Sequence, residues 1–218
     1  MSERAKGICK LASGLVVVAL VVTSAVLVVG TATAPPVRAW ATLPPCDFLT
    51  GGGWIVYNGN KANFGVGGGC KHGSPTWGHL EYIDHGTGLN VHWTSITAYE
   101  FYDIPGSNNG TDPKTGQPTG TRLICGTART NQFGDVNFVV RAQDAGEPGV
   151  NDQFDIRLKD STGTTVYDTT DPAKGGCFPH YLGSYAPCAP GDGGGGNIQL
   201  HKPNPSTSGS FGGSCPAL

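Results

Sequence analysis

The sequence predicts an all-β protein: an antiparallel β-sandwich, jelly-roll-like, of about nine strands and braced by disulfides. Three observations predict it. Apolar and polar side chains alternate with period two through most of the chain after Ala41, which puts one face of each strand in a core and the other in water. The 35 glycines and 16 prolines of the 218 residues punctuate these runs where turns belong. Six cysteines follow Ala41, an even number that suits a disulfide framework. Helical period is nowhere sustained beyond two turns after Ala41.

The first element is an address rather than structure. Arg4, Lys6 and Lys10 form a positive region, Leu11 to Gly30 is almost unbroken apolar chain, and Ala39-Trp40-Ala41 supplies a small-x-small cleavage pattern. This reads as a secretory signal peptide over residues 1–41, followed by a sandwich domain over 42–202 and a flexible Ser/Gly/Pro-rich tail over 203–218. The alternative is an uncleaved anchor, because about 20 apolar residues also span a bilayer. Cleavage takes away Arg4, Lys6, Lys10, Arg38 and Glu3 and leaves ten basic and fifteen acidic residues, net −5. Such a chain is not expected to be drawn to nucleic acid, and after cleavage it is not expected to insert into a membrane.

Strands are expected near 53–58, 61–67, 78–85, 88–102, 121–130, 135–143, 152–160, 164–168 and 196–202. Ala62, Phe64 and Val66 share a phase, as do Leu89, Val91 and Trp93, then Val136, Phe138 and Val140, then Phe154, Ile156 and Leu158, then Ile198 and Leu200. Gly86-Thr87-Gly88 and Ser161-Thr162-Gly163 fit tight hairpin turns. Trp54 and Trp93 fall on apolar phases and are expected in the core. Two insertions break the rhythm. Residues 103–120 read as a long exposed loop. Residues 169–195 carry two cysteines and are expected to be ordered by them.

Cys9 leaves with the leader. The other six allow 15 pairings, which sequence alone does not separate. The ordering taken here puts Cys177–Cys188 first, because they bracket one short loop. Cys46–Cys215 follows, because domain termini often lie close together. Cys70–Cys125 remains.

The motif order Gly51-Gly52-Gly53-Trp54-Ile55, Asn63-Phe64-Gly65-Val66, Leu80-Glu81-Tyr82-Ile83-Asp84, Gly134-Asp135-Val136-Asn137-Phe138, Asp152-Gln153-Phe154-Asp155-Ile156 and Gly196-Asn197-Ile198-Gln199-Leu200-His201 resembles the bacterial post-COAP family. That family is a glycine-rich extracellular β-domain often appended to larger surface proteins. The resemblance covers about residues 48–202. It implies a non-catalytic accessory role and carries over no functional residues. Here the domain stands alone behind a leader, and its cysteine-bearing loops are a departure.

Candidate chemistry falls in three groups. Asp144, Glu147 and Asp152, on a bendable loop with Gly146 and Gly149, offer oxygen ligands for calcium, against the plainer reading of turn-capping carboxylates. His72, His79, His85 and His92 lie within 21 residues and are either a shared transition-metal site or solvated sheet residues. Trp77, Tyr99, Phe101 and Tyr102 are candidates for an exposed aromatic row on which a sugar stacks. The function expected first is a secreted, non-catalytic module that binds an extracellular glycan or surface protein. A second reading is a polysaccharide hydrolase or lyase acting through Glu81 and Glu100; a third is a purely structural module.

Overall fold

The computed structural model describes residues 43–72, 77–191 and 194–218. The leader, its cleavage pattern and the anchor alternative lie outside the described residues. Among the described residues ten strands form: β1 (Phe48–Tyr57), β2 (Asn60–Gly69), β3 (Trp77–Asp84), β4 (Leu89–Tyr102), β5 (Gly110–Thr111), β6 (Pro118–Thr130), β7 (Gly134–Asp144), β8 (Gln153–Lys159), β9 (Thr165–Asp168) and β10 (Gly196–His201). The nine expected strands are all present. The tenth, β5, pairs with β6 inside the 103–120 segment, where Ser107 and Asp112 are buried rather than exposed. β1 starts at Phe48, ahead of the expected Gly53, because Gly51-Gly52-Gly53 has no side chains with which to show an alternation. Among the described residues no helix is long and apolar enough to cross a membrane.

All pairings are antiparallel, in the order β10-β1-β2-β3-β4-β6-β7-β8-β9. Neighbours are consecutive in the chain except at β4 and β6, which pair directly with β5 to one side on β6, and at β10, which returns to lie beside β1. Leu49, Ile55, Phe64, Leu80, Tyr82, Ile124, Phe138, Val140, Phe154, Ile156, Ile198 and Leu200 point to one common side and form the core. Phe64 on β2 and Phe154 on β8 stack with ring centroids 3.8 Å apart. Their strands are far apart in the sheet order, so the sheet folds over and its two halves face each other as a sandwich. Fully burying one such side chain contributes about 1.5–3 kcal/mol.

Folding the sheet over leaves two edges to satisfy. On β10, the backbone N–H groups of Ile198 and Leu200 point away from β1. They donate to Asp152 Oδ2 at 2.7 Å and Asp144 Oδ2 at 2.8 Å. The other oxygens of the two carboxylates accept from Ala145 N and Gly146 N. Side chains from the β7–β8 junction therefore replace a missing ladder. On β8, the edge beyond β9 is taken by the cysteine loop: Phe154 N donates to His180 O, Leu182 N to Asp152 O, and Gly183 N onward to Trp54 O of β1. This loop also covers Asp155, which lies on the outer face of β8 yet is fully buried against Arg141 and His180.

Three disulfides form, Cys46–Cys70, Cys125–Cys215 and Cys177–Cys188. The expected Cys177–Cys188 bridge is present, and the other two expected pairings are corrected. Cys46 and Cys70 face each other across the extended β1–β2 hairpin, where Phe48 pairs with Gly69 and Cys70 N donates to Asp47 O. Hairpin neighbours outweigh the general closeness of termini. Cys125 sits on the outer face of β6 beside Ala98 and Val139, and the C-terminal tail crosses that face to reach it. The tail is therefore tied. Thr207 bridges Lys71, and Gly212 exchanges both backbone hydrogen bonds with Tyr99. That covers the edge of β4 beyond Leu89–His92, the stretch paired with β3.

Candidate functional site

Side-chain parity on β1 decides where the site lies. Leu49, Ile55 and Tyr57 are in the core, so Phe48, Thr50, Gly52, Trp54 and Val56 face outward. Trp54 is thus an outer-face residue, which corrects its expected place in the core. The run Trp54-Ile55-Val56-Tyr57 is apolar on both phases, and period two cannot choose between them. Trp93 does pack against the core, and its indole N–H donates to Gly78 O.

The outer face of β10, β1, β2 and β3 carries two aromatic platforms. At one end Trp54 lies 5.3 Å from Tyr185, and Lys61 Nζ stands 4.1 Å from the indole centroid and 5.4 Å from the Tyr185 ring. Tyr185 is 74% exposed and is carried by the Cys177–Cys188 loop. At the other end Phe48 meets Trp77 edge-on at 6.1 Å and stacks on His201 at 4.6 Å. Lys71 Nζ lies 5.3 Å from the Phe48 ring and 4.9 Å from Trp77. Burial, then Lys71, push the His201 imidazole below its ordinary pKa, while Asp47 opposes them. Its Nε2 is 2.8 Å from the Thr50 hydroxyl.

Between the platforms the floor is glycine. Gly52 pairs with Gly65 in register, and Gly65 with Glu81. A Cβ built on Gly65 meets nothing within 4 Å, and one built on Gly67 strikes the His79 ring at 2.9 Å. The His79 imidazole thus lies flat where a side chain would otherwise stand. Trp54 and Phe48 are six residues apart on one strand, so the platforms are about 20 Å apart along a smooth floor. Aromatic rings facing a shallow strip offer apolar area to flat ligands while leaving their hydroxyls in reach of polar groups.

Of the four aromatic candidates, only Trp77 belongs to this strip. Tyr99 is fully buried on the opposite, core side of the sheet, and its hydroxyl donates to Asp47 Oδ1 at 2.7 Å. Phe101 packs against Phe211 and over the Arg122 guanidinium. Tyr102 is half-buried where β4 ends. The aromatic row expected from residues 99–102 is corrected accordingly: the two β-bulges of β4 cancel in parity, so Tyr99 keeps the inward phase of Leu89 and Val91 and pairs with core Ile124.

The oxygens expected to bind calcium have donors of their own. Both oxygens of Asp144 and of Asp152 accept backbone N–H groups, as described for the β10 edge, and Glu147 Oε1 accepts from Asn197 Nδ2 at 3.2 Å. Burial pushes the Asp152 carboxyl up to about 7, with Asp144 and Glu147 adding to it against two backbone hydrogen bonds. Burial raises Asp144 as well. Among the described residues no three His, Cys, Asp or Glu side chains converge as a metal site. The histidines take separate partners: His85 pairs with Asn63 and His92 with Glu81, while His72 occupies a left-handed turn position.

Glu81 and Glu100 do not form a pair. Glu81 sits opposite His92, and Glu100 lies eight residues farther along β4. With two bulges between them that separation is about 20 Å, against the roughly 5–10 Å between the two carboxyls of a glycosidase.

Sequence reasoning missed Phe48, Lys61, Lys71, Tyr185 and His201. A signal was present for part of it. Alternation puts Gly65 on the phase opposite core Phe64 and Val66, so an outward position of β2 without a side chain was readable there. No family model, curated protein or solved structure matches the chain.

Proposed function

We propose that the chain is an exported, non-catalytic β-sandwich module that binds an extracellular polysaccharide along the outer strip of β10, β1, β2 and β3. The observation that carries this reading is the pair of aromatic platforms about 20 Å apart joined by a glycine floor. A pyranose presents a flat C–H face that stacks on an aromatic ring, and its hydroxyls bond polar side chains at the ring edge. Thr50, Asn63, His79 and Gln199 supply such groups on the same face. The gap left among these side chains at Gly52 and Gly65 lets a linear chain lie close to the backbone between two stacking points. Three disulfides support an oxidising, extracellular setting. The resemblance to post-COAP domains supports an accessory role, as does the wide separation of Glu81 from Glu100.

The test is binding of the purified protein to a panel of soluble polysaccharides by isothermal titration calorimetry. Trp54→Ala, Tyr185→Ala and Trp77→Ala are each expected to weaken the best binder by about five- to a hundredfold, the range for losing a stacked aromatic. Release of new reducing ends during incubation, or affinity unchanged in all three variants, overturns the reading.

A further inference from the structure

We infer that the polysaccharide is anionic, bearing carboxylate, sulfate or phosphate groups, and that Lys61 and Lys71 select it. This inference rests on the reading of the strip as a glycan site. Each aromatic platform holds one ammonium against its rings: Lys61 on Trp54 and Tyr185, Lys71 on Trp77 and Phe48. Among the described residues neither lysine has a carboxylate within ion-pair distance. By contrast, Arg122, Arg129, Arg141 and Arg157 each have one. The acidic residue of the strip, Glu81, is held by His92. The other described lysines, Lys114, Lys159, Lys174 and Lys202, form no ion pair either, so what sets Lys61 and Lys71 apart is the aromatic face under each ammonium.

Their position decides the ligand's charge. A sugar can stack on the indole of Trp54 only if the Lys61 ammonium moves off that face. Moving it forfeits a cation–π contact. A neutral glycan returns only a hydroxyl acceptor, whereas an anionic one offers the displaced ammonium a charge-assisted ion pair at the ring edge. The same exchange applies to Lys71 at Trp77. The chain as a whole, net −5 after leader removal, repels polyanions, so selection depends on these two local charges rather than on a general field. Two cations about 20 Å apart also match a polymer that repeats its charge, since one flexible chain engages both and gains from the second contact.

The test uses the purified protein with polygalacturonate, dextran sulfate and neutral dextran, titrated by calorimetry at two salt concentrations. At least one anionic polymer is expected to bind, more weakly at high salt, with dextran much weaker. The relative strength of the first two separates carboxylate from sulfate recognition. The double variant Lys61→Gln/Lys71→Gln is expected to lose about tenfold in affinity and much of its salt dependence. Lys114→Gln/Lys174→Gln, an equal charge loss at exposed positions off the strip, is expected to bind as the parent does. Two results overturn the inference. If dextran and the charged polymers bind alike, and binding falls with Trp54→Ala but not with the lysine double variant, the charge selection is wrong and the glycan site stands. If no polymer binds, and no neutral glycan on a wider panel binds either, the glycan site itself falls.

Discussion

The clamp that holds β10 makes stability fall as pH rises, against the usual behaviour of a carboxylate protein. Asp152 is 0% exposed, and its carboxyl has a pKa of about 7 in the folded chain against about 3.9 in an unfolded one. Below about pH 4 both states hold the proton, and above about pH 7 neither does. In between, only the folded state binds it, so the folded state is favoured at pH 5 and that advantage is lost by pH 8. Between pH 5 and pH 8 only the two units below the folded pKa count, and at about 1.36 kcal/mol each they set an upper limit of about 2.7 kcal/mol. The hydrogen bonds that Ala145 and Ile198 donate to the charged form already hold this pKa below what burial alone would give. Asp144, also raised, adds in the same direction. His201, held below its ordinary value, works in the opposite direction around pH 6. Calorimetry at pH 5 and pH 8 is expected to show the melting midpoint dropping by up to about 5–11 °C, at about 2–4 °C per kcal/mol for a chain of this size. Asp152→Asn supplies one acceptor for two donors. It is expected to start lower by about 1–3 kcal/mol with a flatter profile. A midpoint that stays level or rises from pH 5 to 8, or an Asn variant with the parent's slope, refutes the argument.

Other changes probe other parts of the account. Asp47→Ala removes the carboxylate that pairs with buried Arg122 and accepts the Tyr99 hydroxyl; a loss of about 3–5 kcal/mol is expected in denaturant unfolding, with Asp47→Asn milder. Cys215→Ser unties the tail and is expected to cost about 2–4 kcal/mol. Hydrogen exchange should quicken at the Tyr99 amide, whose acceptor is Gly212 O, and should not change at Ile55. Gly65→Leu places a side chain into open space on the glycine floor; the melting midpoint should move by no more than a few degrees, while polysaccharide affinity drops at least tenfold.

How much of this was readable in advance differs between the two faces of the sheet. The inward face was legible because Phe64, Val66, Leu80, Phe154 and Ile156 are large and apolar and recur at every second position. The strand count followed from them. The outward face was not. Trp54 lies in a run that is apolar on both phases, so alternation could not assign it to a face. Tyr185 joins Trp54 only because Gly183 N donates to Trp54 O, a contact made across 129 positions of sequence. The cysteines split in the same way. Cys177–Cys188 closes locally and was legible, whereas Cys125–Cys215 depends on the path of a tail that has no apolar periodicity. Asp144 and Asp152 were singled out for their oxygens. Their neighbours turned out to be the backbone donors of an otherwise open strand edge, which only the folded sheet brings to them.

The central claim, that the outer strip is where the protein meets its ligand, is tested most directly by following the tryptophan indole N–H resonances while an anionic oligosaccharide is titrated in. Those of Trp54 and Trp77 should shift along a saturable curve, while that of Trp93, already donating to Gly78 O, should stay in place. Saturable binding that leaves Trp54 and Trp77 unmoved would contradict the claim.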